Sequence, residues 1–168
     1  DLPITALESK RISIPVMKVC PKTGISVALK NMFGLLPDSR KVRYHPKINE
    51  VIADLNKVIF PHLSVVDGIF GLEGPGTPDS GKSVHLGVTL VGKDPVAVDS
   101  IAAKIMGVKL MEAKHIIYSN DYGLGEMKLE NIEVRGLRVN EVERPFRKPR
   151  ISLTKFIKRE LLPKGHQQ

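Results

Sequence analysis

The chain has one cysteine, Cys20, and no tryptophan, and aromatic residues of every kind make up only 5% of it. A single thiol excludes an internal disulfide and any iron–sulfur cluster ligated by cysteines of this chain alone. It points to a reducing compartment, so the expected localisation is cytoplasmic. With few rings to stack bases on, nucleic acid is not an expected partner. No apolar run approaches the roughly 18 residues that a membrane span requires. Nor does the start read as a secretory leader, since residues 2–7 form a short apolar stretch with no basic residue before it, and Glu8, Lys10 and Arg11 follow. The first residue is Asp1 rather than methionine, which suggests a trimmed or partial chain.

Acidic residues are also in short supply, 18 against 26 lysines and arginines, for a net charge of +8. The imbalance is local. From Arg144 onward stand Arg147, Lys148, Arg150, Lys155, Lys158, Arg159 and Lys164, with Glu160 as the lone acid, so residues 1–143 are nearly neutral. Within the tail, Ser152 can cap a short helix with Leu153, Phe156, Ile157 and Leu161 on one face and Lys155, Lys158 and Arg159 towards the other. The expected organisation is one α/β domain over 1–143 and a basic tail over 144–168.

What remains is ordinary for a globular domain, 42% hydrophobic and 26% charged in 168 residues. Strand-like and helix-like segments alternate, which predicts an α/β fold with a mixed sheet flanked by helices, its strand order not legible. Residues 11–19 read as a strand that Pro15 marks as an edge or irregular one, and 25–36 as a helix. Residues 47–60 give the clearest helix: Ile48, Val51, Ile52, Leu55, Val58 and Ile59 repeat at helical spacing between Pro46 and Pro61. A short strand at 63–66 runs into Asp67-Gly68, and a Gly/Pro-rich loop is expected over 71–83. A strand is expected at 84–91, a helix at 96–106 capped by Asp94 with Pro95 behind it, another helix at 111–120 and a late strand at 132–139.

Gly76-Thr77-Pro78-Asp79-Ser80-Gly81-Lys82-Ser83 matches the phosphate-loop pattern letter by letter. The pattern works only between a strand and a helix, because the helix N-terminus supplies amides and dipole to the phosphates. Here Val84 to Val91 reads as strand, Pro78 has no N–H, and Asp79 sets a negative charge where phosphate would lie. Nucleotide binding through this loop is therefore disfavoured.

Polar residues at element ends carry the candidate chemistry: Lys18 and Cys20 beside the first strand, Lys30 and Asn31 late in an apolar segment, His45 ahead of a helix, Asp67 and Glu73 around a strand exit, and Asp99 inside an apolar helix. Each has a plain alternative. His45 can cap, Lys18 can snorkel, Lys30 can sit solvated on a helix and Asp67 can make a turn. Asp99 must find a partner if buried. Together they suit an anionic ligand or a metal. We expect His45, Asp67, Glu73, Asp99, Lys18 and Lys30 to line one cleft. A metal there would draw on Cys20, His45, Asp67 and Glu73, zinc or iron if the thiol joins and magnesium if it does not.

The same residues carry a family resemblance. Pro15-x-x-Lys18, Lys30-Asn31-Met32-Phe33-Gly34, Tyr44-His45-Pro46-Lys47, Ala53-Asp54-Leu55, Val66-Asp67-Gly68, Leu72-Glu73-Gly74-x-Gly76 and Asp94-Pro95-Val96-Ala97-Val98-Asp99 resemble, in order, the prokaryotic domain of unknown function family 362. The likeness runs from about Ile12 to Val139. It implies that this chain corresponds to a C-terminal portion, with the family's N-terminal region missing. Some members add a ferredoxin-type domain, which makes a ferredoxin-like or other acidic protein an implied partner. Members often have histidine where Cys20 stands. Whether the chain is an enzyme is left open. The leading reading is a ligand- or metal-binding domain, part of an enzyme in redox or cofactor metabolism. The alternative is a non-catalytic scaffold docking through its basic tail.

Overall fold

Pro15 divides the first expected strand in two. In the computed structural model, which describes residues 2–75 and 80–148, β1 (Ile12–Ser13) and β2 (Val16–Cys20) run in line along one edge of β4 (Leu63–Glu73), both parallel to it. The proline has no N–H for the ladder, while its carbonyl still accepts from the Asp67 amide at 2.9 Å. β5 (Lys82–Gly92) pairs antiparallel with β4 over that strand's length, so β1 and β2 share the opposite edge. β3 (Gly24–Ser26) turns back antiparallel on β2. The sheet thus reads β5, β4, β1 with β2, then β3, the expected mixed sheet of an α/β fold.

The strands alternate cleanly. Ser13, Pro15, Met17 and Val19 are buried, whereas Ile12, Ile14 and Val16 are exposed and Lys18 and Cys20 half-buried. Met17 and Val19 join Ile25, Val66 and Val84 in one core with α2 (Ala28–Asn31), α3 (Ile48–Ile59), α4 (Pro95–Ile105) and α5 (Lys114–Asp121). A short α1 (Ile4–Glu8) precedes the sheet and buries no residue of its own.

Several sequence expectations are corrected. Residues 25–36 are not one helix: Ile25 and Ser26 pair with β2, and only then come α2 and a tight turn at Met32–Leu35. Strand pairing overrides helical spacing where β-branched residues meet a neighbouring strand. The short strand at 63–66 runs on to Glu73, because Asp67-Gly68 forms an irregularity inside the strand rather than a turn. The ladder shifts register between Gly68 and Phe70, and the Asp67 carboxylate accepts from the Ile69 amide at 2.9 Å. The Gly/Pro-rich loop shrinks accordingly, with Glu73 already paired to Lys82. The helix expected at 111–120 is a tight turn at Leu110–Glu112 followed by α5. Residues 132–139 form no strand among the described residues, and α6 (Val139–Val142) begins at the end of that stretch. On α3 the stripe is narrower than its spacing suggests, since Val58 is 60% exposed while Asn56 is buried.

The tail helix imagined over 152–161 lies outside the described residues. What is described of the tail packs on the body. The amides of Arg144 and Phe146 donate to the carbonyls of Ile105 and Met106 at 2.8 and 2.9 Å, and Phe146 is buried. Its ring fills the place of an absent side chain at Gly71, where a Cβ would stand 2.5 Å from it.

Candidate anion site

The expected single cleft does not form. The carboxylates are sent to three different environments by the strand pleat and by the helix they sit on. Asp67 pairs in register with Val16 and so shares the open face of the sheet with Lys18 and Cys20. Glu73, beyond the register shift, is buried on the other side. It accepts from the Arg147 amide at 2.9 Å and lies 3.5 Å from the Arg147 guanidinium, while the Gly74 amide donates to the Arg147 carbonyl. Glu73 therefore holds the chain at 144–148 against the end of β4, a structural duty that its Gly-rich surroundings hid.

Asp99 is fully buried on α4 and finds the partner that its burial demands. Its two oxygens accept from the amides of Ala28 at 2.7 Å and Leu29 at 3.2 Å, so it caps the start of α2 from a distant part of the chain. Burial pushes its carboxyl above the ordinary range, opposed by His115 and by those two amides. His115 was not singled out in the sequence. It is fully buried on α5 with Nε2 at 3.8 Å from the Asp99 carboxylate, and neither ring nitrogen has a hydrogen-bond partner among the described residues. Asn56 completes this interior polar group by donating to the carbonyls of Leu29 and Ile52. A histidine four residues into a short amphipathic segment gives no signal that it faces a buried acid 16 residues earlier.

Asp94 is the helix cap that the sequence predicts. One oxygen accepts from Val96 and Ala97, and the other reaches across to the Glu126 amide at 2.8 Å. Both α2 and α4 thus begin on a carboxylate, and neither start is left for phosphate. The phosphate-loop pattern fares no better. Residues 76–79 lie outside the described residues, but Lys82 and Ser83 are strand residues paired with Glu73 and Leu72, where that motif needs a helix.

The metal set is also dispersed. Among the described residues no three His, Cys, Asp or Glu side chains gather as a metal would require. His45 is half-buried in the tight turn Lys41–Lys47 ahead of α3, and Asn31 spends its amide on the Ser13 hydroxyl at 3.0 Å.

Lys18, Cys20 and Lys30 do come together. Lys18 and Cys20 are two residues apart on β2 and point to the same face, with Ser26 of β3 opposite Lys18. Burial pulls the Lys30 ammonium below its ordinary range, the Cys20 thiolate acts against this, and the Lys18 charge adds to it. Among the described residues neither lysine makes an ion pair with a carboxylate. Two like charges share a half-buried place with no acid to offset them among the described residues.

An open mixed α/β sheet with chemistry at strand and helix ends is the class that this geometry defines. Residues 3–104 match the family described as Domain of unknown function (DUF362), and the chain belongs to that family. It is also similar to Thylakoid-associated protein sll1697 of Synechocystis sp., 28% identical over 102 residues that cover 56% of this chain and 32% of that protein. The match thus spans about a third of that relative's length. No solved structure matches the chain.

Proposed function

We propose that this chain is a ligand-binding α/β module whose site is the Lys18, Lys30 and Cys20 group on the open face of the sheet, and whose ligand is a small anion. The observation that carries this reading is the pair of neighbouring ammonium groups that have no carboxylate partner among the described residues. Bringing like charges together in a partly desolvated place costs free energy, and a carboxylate or phosphate between them would offset it through charge-assisted hydrogen bonds. An enzyme in redox or cofactor metabolism would use the same cradle for the anionic end of its cofactor or substrate. Cys20 beside it would be a nucleophile or redox group only in that bound state. A cytoplasmic setting, which keeps that thiol reduced, belongs to the same proposal.

Thermal melting at constant ionic strength tests it. Inorganic phosphate or citrate replacing chloride should raise Tm, by the mass action of a ligand that binds only the native state. The double variant Lys18→Met, Lys30→Met should lose that shift. A shift that persists in the variant, or none in the parent, refutes the site.

A second reading rests on the name of the Synechocystis relative and on the basic tail. Under it, residues 144–164 hold the protein to an anionic membrane surface. Co-sedimentation with vesicles containing anionic lipid, lost at high salt and on deletion of 149–168, would support it. An acidic protein partner would instead show binding without vesicles.

A further inference from the structure

α2 is a single turn, yet side chains from α3, α4 and β1 all hold it. The Ala28 and Leu29 amides donate to Asp99, and the Leu29 carbonyl accepts from Asn56. On the other side Asn31 donates to the Ser13 hydroxyl at 3.0 Å. Between these ties stands Lys30, half-buried and without a carboxylate partner among the described residues. So short a helix is not stable by itself, so the ties fix where the Lys30 stem begins. Lys18 is the second cation within electrostatic reach, half-buried on β2 opposite Ser26.

We propose that Lys30 is a nucleophilic amine that forms an imine with a small aldehyde or ketone bearing a carboxylate or phosphate, whose anionic group Lys18 holds. The inference rests on the anion reading above and names the substrate class of that site. An anchored backbone spares part of the ordering that a long side chain needs to meet a bound carbonyl. A lysine in water is protonated at neutral pH, and becomes a nucleophile when burial or a neighbouring cation disfavours its charge. Lys30 has both, since burial and the Lys18 charge lower its pKa against the opposing pull of the Cys20 thiolate.

The step balances without an oxidant or a reductant. The unprotonated Nζ adds to the carbonyl carbon. Its two protons pass to the carbonyl oxygen, which leaves as water, and a C=N bond remains. The two lysines then divide the work: Lys18 binds charge and Lys30 reacts.

Pyruvate with sodium cyanoborohydride, which reduces an imine to a stable secondary amine, tests this near neutral pH on the 168-residue chain. Peptide mass spectrometry should find the reduced adduct at Lys30 in several-fold excess over the exposed Lys93 and Lys128. Inorganic phosphate should suppress it at Lys30 and leave those two lysines unchanged. Lys30→Arg, checked for folding by circular dichroism, should lose the excess adduct, and Lys18→Met should raise the pyruvate concentration needed at Lys30. Labelling of Lys30 no greater than that of Lys93 and Lys128 overturns the proposal. If phosphate still raises Tm in that case, the anion reading stands without the imine, and if it does not, both fall. Labelling of Lys30 that phosphate leaves untouched also overturns the proposal, because the amine then lies outside the anion site.

Discussion

The two faces of the sheet are built from the same strands and from neighbouring residues, yet they answer to different physics. On the helix-covered face, Met17, Val19, Val66 and Val84 are sealed, and the buried carboxylates there are met. Asp99 meets two amides and Glu73 meets Arg147. On the open face, Val16 and Val91 stand in solvent, and Lys18, within electrostatic reach of Lys30, has no ion pair with a carboxylate among the described residues. A charge on the first face is a structural element because it is satisfied. Lys18 on the second has no such partner among the described residues.

Placing one acid on either face should separate them most sharply. Val66→Glu would bury an unpaired carboxylate and should cost about 5 kcal/mol or more, enough to unfold the domain. Val91→Glu, measured in dilute solution, should change stability by no more than about 0.5 kcal/mol. Urea denaturation of the two variants gives the contrast directly.

Asp99→Ala comes next, at about 3 kcal/mol, because the amides of Ala28 and Leu29 lose their acceptor inside the core. Asp99 also shapes the response to pH. Its carboxyl is raised above 3.8, so from that value upward the native state keeps the proton longer than the unfolded chain does. Its contribution to stability is therefore greatest at acid pH and falls as pH rises through the raised value. Asp99→Asn should flatten that part of the profile of urea midpoint against pH.

Glu73→Gln should cost about 1 kcal/mol, a charge-assisted bond to the Arg147 amide weakened to a neutral one. Trypsin should then cut after Arg147 faster than in the parent. Equal cleavage rates would show that Phe146 alone holds this strap. The smallest effect belongs to Lys82→Ala on the exposed start of β5, which should leave both stability and any response to nucleotide unchanged.

The amphipathic stripe of α3, the Asp94 cap and the strand around Pro15 were legible because each rests on neighbours in sequence. Spacing, a cap and a pleat are local devices. The same locality made Asp99 recognisable as a residue needing a partner, though not as the cap of a helix 70 residues away. Reading Asp67 and Glu73 as a pair at a strand exit failed because the register shift at Gly68 to Phe70 turns them to opposite faces.

Sequence alone determined the α/β class, the family membership suggested by its motifs and the strand that follows Lys82-Ser83, since composition, period and local context carry those. Tertiary structure alone decided which charges are spent and which are available. His115 faces Asp99 and Arg147 closes on Glu73 through contacts between residues far apart in the chain, and Lys30 comes within electrostatic reach of Lys18. The physical reason is that an electrostatic partner is chosen by distance in space and by burial, and neither is encoded at the position of a single residue.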